Sequence, residues 1–319
     1  MLWRDGRLHE GTVAPFDLTD RGLLLGDGVF DTAMALRGTV VAEEAHLARL
    51  AEAAAALGFR FDEEEARTAM RAVAATLERA AIRTTVTRGS GPRGLRPPVE
   101  PRPVLWASAA PLRSGLVFSD LSLGWSVIRR NETSPGARHK TLGYLDAVLA
   151  AEAAARAGDD EALFLNTAGR VACAGTGNLF AVFGRVLVTP SLSEGVLAGI
   201  VRARLLALGP GLGLTPTERP VAPEALAEAD AVFLTNSLRL IAPVQRIAER
   251  DFASAGHPVV RALQAALSAE IAQACGVAPE GEAGRAPEPS PTEPGLARVP
   301  HPCAQSDEPD LGRGRVALA

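Results

Sequence analysis

The chain has 319 residues, of which 47% are apolar, and its formal net charge is −4. A negative charge argues against a nucleic-acid-binding protein, because such proteins usually carry a basic surface. We find no apolar run long enough for a membrane-spanning helix and no signal-peptide core in the first residues, and we therefore expect a cytoplasmic protein. The three cysteines and five histidines show no metal-ligand spacing, so we expect no metal site.

The predicted elements alternate between helices and short strands. Helices are expected over 43–58, 62–81, 142–157, 199–208 and 259–275. Strands are expected over 84–87, 104–107, within 116–128, and over 161–165, 179–183, 185–188 and 231–235. Two early helices followed by many short strands indicate a mixed α+β fold in two lobes.

The same pattern suggests where the lobes begin and end. We assign a small N-terminal α/β lobe to 1–115 and a larger C-terminal α+β lobe, which contains the only lysine, to 116–275. The segment 276–319 is rich in Pro, Glu and Gly and has few large apolar residues. It cannot bury enough apolar surface to offset the entropy of ordering, so we predict that it is disordered.

Lys140 is the only lysine among 33 Lys and Arg residues. Arginine replaces lysine as a surface cation, but its guanidinium stays protonated near neutral pH and cannot serve as a free amine. An amine that can lose its proton is what Schiff-base chemistry requires. The alternative is that codon bias removed lysine almost everywhere and that this one remained by chance.

The surroundings of Lys140 support a chemical role. It follows a turn containing Pro and Gly and precedes a predicted helix, so its side chain can project into a cleft. Tyr144, the only tyrosine, comes four residues later and shares a helix face with Lys140 if the helix has already begun. A buried aromatic residue with no role in the site is an equally good interpretation of Tyr144.

Several other segments can hold an anion. His46 and Arg49 lie three residues apart on one predicted helix face, and 193–206 is a glycine-bearing turn that opens a helix with free N–H groups. Asn236 and Ser237 end a strand, where they can donate to an anion or simply form a turn. The loop 87–98 holds Arg88, Arg93 and Arg96, which can clamp carboxylates or remain solvated.

A lysine able to form a Schiff base, together with phosphate-holding segments, points to pyridoxal 5′-phosphate (PLP). The sequence resembles the class IV aminotransferases, a PLP family that includes branched-chain aminotransferases, D-amino-acid transaminases and 4-amino-4-deoxychorismate lyases. The resemblance covers roughly residues 1–275 in matching order and excludes the tail. The matching stretches are RGLLLGDGVFDTAMALRG, HLARL, TRGSGPRG, HKTLGYLDAVLAAEAA, DEALFLNTAGRVACAGTGNLFAV, GVLAGIVRARLL and FLTNSLRLIAPV.

The resemblance implies roles for individual residues. Lys140 would form the Schiff base and move protons, and Tyr144 would lie beside the cofactor. The cofactor phosphate would be bound by Arg49, by the N–H groups of Ile200 and Val201, and by the Ser237 hydroxyl. Within the resemblance, Arg88 and Arg93 are candidates to bind the carboxylates of a small amino substrate. The family also implies a homodimer.

Two positions depart from the family pattern. Val201 replaces a threonine, which removes a hydroxyl but keeps the backbone donor. Cys173 aligns with a glutamate that faces the pyridine nitrogen, and a carboxylate there keeps the ring protonated. Either Cys173 is a thiolate partner of the ring, or the ring is less electron-withdrawing in this enzyme.

The expected reaction is that of a 4-amino-4-deoxychorismate lyase, which forms 4-aminobenzoate and pyruvate. The stretches RGSGPRG and LTNSLRLIAPV look most like the lyase branch, and arginines in the loop would suit a substrate with two carboxylates. Transamination of branched-chain or D-amino acids is the alternative. A further alternative is a PLP-binding paralogue with little activity.

Overall fold

A computed structural model describes residues 1–280. Its helices carry their own start and stop signals; for example, the Asp62 carboxylate accepts hydrogen bonds from the N–H groups of Glu64 and Glu65 at the start of α3. The α-helices are α1 (Arg21–Leu25), α2 (Glu43–Ala56), α3 (Glu63–Ala74), α4 (Pro135–Arg138), α5 (Leu145–Ala157), α6 (Ile200–Leu208) and α7 (Pro258–Cys275).

The strands fall into two groups along the chain. The first group is β1 (Leu2–Arg4), β2 (Arg7–His9), β3 (Gly28–Leu36), β4 (Thr39–Val40), β5 (Arg79–Thr87) and β6 (Val104–Pro111). The second group is β7 (Leu121–Trp125), β8 (Glu161–Leu165), β9 (Val171–Ala174), β10 (Asn178–Phe183), β11 (Val186–Thr189), β12 (Thr215–Glu218), β13 (Ala231–Asn236), β14 (Leu240–Ile247) and β15 (Arg250–Asp251).

Each group forms one sheet. The first is an antiparallel sheet with the strand order β2-β1-β6-β5-β3-β4. The second is mixed, with the order β12-β11-β10-β13-β14-β7-β8-β9. Because β9 also pairs with β10, the six strands from β10 to β9 close into a barrel. This architecture confirms the predicted α+β class, whereas the division into lobes at residue 115 stays a prediction.

Two clusters of buried apolar side chains pack the sheets against the helices and against each other. Helices α2 and α3 pack on one face of the first sheet and bury Leu47, Leu50 and Met70 there. A second cluster joins Met34 and Leu36 of β3 to residues of the barrel sheet and of α6 and α7. The two sheets therefore share buried apolar side chains, and the polar cleft described below is lined by both.

Most predicted elements are present, with differences at their ends. The helix predicted over 62–81 ends at Ala74, and residues 79–81 belong to β5 because that strand pairs with both β3 and β6. Eight strands were not predicted: β1, β2, β3, β4, β9, β12, β14 and β15. Most of the segment predicted to be disordered, 281–319, lies outside the described residues.

Two further properties concern residues 1–280 as a whole. Within them, no helix combines the length and apolar character needed to cross a bilayer. Over the same residues, histidine, cysteine and acidic side chains do not gather into a group of three that could ligate a metal ion.

Candidate active site

A cleft of about 490 Å³ lies between the first sheet and the barrel. Its size suits a small ligand. The seven residues predicted to hold the cofactor all line it: Arg49, Lys140, Tyr144, Cys173, Ile200, Val201 and Ser237. They come from positions almost 190 residues apart in sequence, and the fold brings them to one place.

The backbone around Lys140 is fixed by the first sheet. The N–H of Phe30 donates to the carbonyl of Lys140 at 2.9 Å, and the N–H of Leu142 donates to the carbonyl of Gly28 at 3.0 Å. Gly28 makes this pairing possible, since a Cβ there would lie 2.7 Å from the Leu142 side chain and 2.8 Å from the Val86 carbonyl oxygen. Lys140 therefore emerges from an extended segment on the edge of β3.

The side chain of Lys140 reaches an aromatic pair. Its Nζ donates to the Tyr144 hydroxyl at 2.9 Å and lies 4.4 Å from the centre of the Phe30 ring. The Phe30 and Tyr144 rings meet edge to face at 5.0 Å. Because α5 begins only at Leu145, the predicted shared helix face is wrong, but Lys140 and Tyr144 are in direct contact.

Arg49 is held by a buried carboxylate. Asp31 accepts from Arg49 Nε and Nη2 at 2.8 Å each, and it contacts His46 Nδ1 at 2.6 Å. Asp31 is 3% exposed and His46 is 2% exposed. Burial acts to raise the pKa of Asp31, but the hydrogen bonds and charges of His46 and Arg49 outweigh it and lower the pKa to about 2. The guanidinium therefore approaches the cleft in a fixed orientation.

The first turn of α6 supplies backbone donors beside Arg49. Gly199 is the N-cap, so the N–H groups of Ile200 and Val201 open the helix at the cleft. A Cβ at Gly199 would lie 2.0 Å from Asn178 Oδ1, and the Asn178 amide donates to the Leu197 carbonyl at 2.9 Å. We call Arg49, Ile200, Val201 and Ser237 the phosphate end of the cleft.

Across the cleft, β8 and the β9–β10 turn form a second wall, which we define as Glu161, Cys173, Gly175 and Thr176 and call the strand wall. Burial raises the pKa of the Cys173 thiol, and the positive charge of Arg130 opposes this shift only in part. The thiol is therefore neutral near pH 7 in the described chain. This argues against the interpretation of Cys173 as a preformed thiolate.

Glu161 is a cleft residue that sequence reasoning missed. It is 8% exposed, and Thr176 Oγ1 donates to its Oε2 at 2.6 Å. Burial raises its pKa above the usual value for a glutamate. Its position at the start of a short predicted strand gave no sign of a site. Only the pairing of β8 with β9 brings it to the wall that contains Cys173.

The structure does not bring the loop arginines to this cleft. Arg88 is 5% exposed and is held by Asp27 at 2.8 Å and by the Leu57 carbonyl at 2.6 Å, so its guanidinium is committed to the fold. Arg93 and Arg96 are exposed and do not line the cleft. Within one chain the predicted substrate role of Arg88 and Arg93 is therefore not supported.

Other arginines do line the cleft. Arg83, Arg130 and Arg239 surround it, and Arg83 stacks over Phe30 at 3.5 Å from the ring centre. Asn236, next to Ser237, accepts from the N–H groups of Leu238 and Arg239, which is the turn role considered from sequence. Sequence reasoning missed these three arginines because they lie in separate strands and loops.

The fold brings a lysine amine, a guanidinium and the free N–H groups of a helix N-terminus into one cleft, which suits an anionic ligand. The chain belongs to the class IV aminotransferase family, whose model matches residues 28–247. Members of this family are PLP-dependent enzymes. The structure thus confirms the family that the sequence motifs indicated.

The relatives carry three different activities in their names. A Methanocaldococcus jannaschii protein provisionally named a branched-chain-amino-acid aminotransferase is 33% identical over 254 residues, which are 77% of this chain and 87% of that protein. The D-alanine aminotransferase of Bacillus licheniformis is 28% identical, over 84% of this chain and 95% of its own length. The crystal structure of 4-amino-4-deoxychorismate lyase from Pseudomonas aeruginosa is 34% identical, with a TM-score of 0.76 over 85% of this chain and 99% of that one.

The residues of the cleft fit PLP. Lys140 offers an amine, while the phosphate end offers a guanidinium and free helix N–H groups for a dianion. The Thr235 hydroxyl also lines the cleft and is buried without a hydrogen-bond partner in residues 1–280. An unsatisfied buried hydroxyl is costly and is consistent with a polar ligand at this position.

Proposed function

We propose that the cleft holds PLP on Lys140 and that Arg49, the N–H groups of Ile200 and Val201, and Ser237 bind its phosphate. The observation that carries this proposal is that the only lysine and these phosphate donors line one cleft. When bound, PLP supplies an electron sink that makes the substrate Cα–H acidic. The protein residues then decide which proton moves and which bond breaks.

Lys140 is the group that moves the proton. Once its amine is free, it can accept the Cα proton of the substrate as a general base and return it elsewhere. The Tyr144 hydroxyl, 2.9 Å from Nζ, accepts a hydrogen bond from the amine and orients it. At the other side, Arg49 would donate to the phosphate while Asp31 holds the guanidinium in its orientation.

Within the family, we propose 4-amino-4-deoxychorismate lyase activity. The substrate carries two carboxylates, and the cleft has four arginines in addition to Arg49: Arg83, Arg130, Arg239 and Arg202, the last of which is paired with Glu218. Guanidinium groups are well matched to carboxylates. The 34% identity to the Pseudomonas aeruginosa lyase also supports this choice.

A second candidate is transamination of branched-chain or D-amino acids. The 33% identity to the Methanocaldococcus jannaschii protein favours it, as does the apolar side chain of Leu116 in the cleft. One assay separates the candidates. The PLP-loaded protein is incubated with aminodeoxychorismate, and 4-aminobenzoate is measured. In parallel it is incubated with L-leucine or D-alanine plus 2-oxoglutarate, and glutamate is measured.

The outcomes of this assay are distinct. Formation of 4-aminobenzoate that is lost in Lys140→Ala supports the lyase. Glutamate without 4-aminobenzoate rejects the lyase in favour of a transaminase. Bound PLP with neither product indicates a cofactor-binding paralogue.

We also propose that the chain forms a homodimer. Two helices beside the Lys140 segment expose apolar side chains: Leu23, Leu24 and Leu25 on α1, and Leu145, Val148 and Leu149 on α5. Gly26, which ends α1, lies 3.5 Å from the backbone of Gly143 just before α5, measured from an added Cβ, so the two apolar segments are neighbours. An exposed apolar patch of this kind suits a protein interface. Sedimentation equilibrium of the wild type and of Leu24→Glu tests it, and a monomeric wild type would reject it.

A further inference from the structure

The strand wall contains a carboxyl group without a compensating cation. Glu161 is 8% exposed and accepts a hydrogen bond from Thr176, but it forms no ion pair within residues 1–280. Arg239 is the cation that most favours its ionised form, and its charge does not offset the effect of burial. A buried carboxylate is expensive unless a positive charge faces it.

The neighbouring residue cannot take over this charge. The Cys173 thiol is neutral, and the charge of Glu161 is one of the causes that keep its pKa high. The two groups are thus close enough to interact electrostatically. Any negative charge on the strand wall is therefore carried by Glu161.

Local geometry holds the Glu161 carboxyl in place. A Cβ added to Gly175 would lie 2.7 Å from Glu161 Oε1, so the carboxyl rests against a residue that has no side chain. Gly175 follows Cys173 by two residues, and its N–H donates to the Ala162 carbonyl at 3.1 Å. The short β9–β10 turn thus fixes Glu161 and Cys173 on the same wall.

We infer that Glu161 supplies the negative charge that faces the PLP ring at the strand wall, where the family would place a carboxylate at position 173. The inference rests on the proposed PLP site. A protonated ring nitrogen is the cation that Glu161 lacks, and Glu161 in turn favours the protonated form of that nitrogen. Glu161 is thus a positioning residue that acts on the ring through its charge, from the same wall as Cys173.

A double-mutant cycle on PLP affinity tests the inference. Four proteins are compared: wild type, Glu161→Gln, Cys173→Glu and the double variant. The dissociation constant for PLP is measured by fluorescence titration of the full-length apoprotein, with circular dichroism as a check on folding. Glutamine keeps the shape of the side chain and can still accept from Thr176, so the cycle isolates the charge.

The inference predicts a result that depends on the residue at position 173. Glu161→Gln should weaken PLP binding about tenfold when residue 173 is cysteine, and by less than about threefold when it is glutamate, because the second carboxylate then supplies the charge. An equal effect in both backgrounds would indicate a structural role and overturn the inference. No effect in either background would overturn it as well.

Two controls complete the design. Thr176→Val removes the hydroxyl that contacts Glu161 but leaves the carboxyl, so it should weaken PLP binding less than Glu161→Gln does. Lys140→Ala reports on the proposed function itself. If wild type binds PLP no more tightly than Lys140→Ala, both the PLP site and the inference fail. If Lys140 matters but the cycle is additive, only the inference fails.

Discussion

The two sides of the cleft hold their charges in opposite ways. At the phosphate end, Arg49 is paired with Asp31, which is paired with His46, and every charge is matched by a buried partner. At the strand wall, Glu161 is buried beside a neutral thiol and forms no ion pair with any residue that the structure describes. The ion pairs behind the phosphate end are therefore formed without a ligand, whereas the carboxylate of the strand wall gains a charged partner only if the ligand brings a cation.

Because of this difference, substitutions on one side should mainly affect folding stability, and substitutions on the other should mainly affect ligand binding. Breaking a compensated buried pair leaves an unpaired charge and destabilises the fold. Removing an uncompensated buried charge relieves a cost in the free protein and is harmful only when the ligand is bound. The same type of substitution, acid to amide, should thus have opposite effects on the two sides.

The largest expected effect lies between the two sides, at Lys140. Replacing it with arginine keeps the positive charge but removes an amine that can lose its proton. We expect turnover to fall by at least about 10³-fold in Lys140→Arg and in Lys140→Ala alike. The measurement is steady-state kinetics at saturating PLP. Substantial activity in Lys140→Arg would show that charge, and not amine chemistry, is what the cleft requires.

Next in size is the loss of the buried pair at the phosphate end. Asp31→Asn should destabilise the apoprotein by about 3–5 kcal/mol, because it leaves Arg49 and His46 without their shared carboxylate. Urea unfolding at pH 7 measures this change. Asp17→Asn is a matched control, since Asp17 is exposed on the surface and should cost less than about 1 kcal/mol. A cost equal to that of the control would remove the contrast between the two sides.

The free energy of unfolding at acidic pH should also depend on the Asp31–Arg49 pair. The folded-state pKa of Asp31, about 2, is below the ordinary value of 3.8 for an aspartate, so the unfolded chain binds more protons as the pH falls. Its contribution is therefore complete above about pH 4 and is lost progressively towards pH 2, by about 2 kcal/mol. Urea unfolding of wild type and Asp31→Asn between pH 5 and pH 2 checks this. The stability difference between the two proteins should shrink as the pH falls, and a constant difference would contradict the assignment.

The smallest expected effect has the opposite sign. Glu161→Gln should leave the stability of the apoprotein unchanged or raise it by up to about 1 kcal/mol at pH 8, because a buried carboxylate without a partner is removed. The folded-state pKa of Glu161 is raised, so its cost to stability is absent below the unfolded-state pKa and grows as the pH rises. The gain should accordingly be larger at pH 8 than at pH 4 in urea unfolding. A loss like that of Asp31→Asn would mean that Glu161 belongs to the framework.

The sequence predicted the parts of this fold that depend on local signals. Helix α2 begins with two acidic residues and α7 ends at a glycine, and both lie within two residues of their predicted bounds. The helix predicted to run to residue 81 was wrong at its C-terminal end, because the segment 79–81 (Arg-Ala-Ala) reads as helical by composition. Its conformation is instead set by pairing with β3 and β6, and tertiary pairing overrides a weak local preference.

The site shows the same limit. Lys140 and the phosphate end were found because their motifs are short and ordered along the chain. The pairing of Asp31 with Arg49 and the closeness of Glu161 to Cys173 depend on strand register, which no local pattern states. The substrate role predicted for Arg88 is unsupported within one chain for a related reason, since its half-buried partner Asp27 lies 61 residues away.

The six residues from Cys173 to Asn178 are the chain segment that links the two sides of the cleft. Cys173 and Gly175 shape one wall, and five residues after Cys173 the Asn178 amide holds the Leu197 carbonyl just before α6. Inserting or deleting a single residue in this span would move one side relative to the other, whatever residue type was used. The length of the span is thus constrained more tightly than its composition. A chain can exchange the residue at position 173 and still keep the spacing that lets both sides meet one ligand.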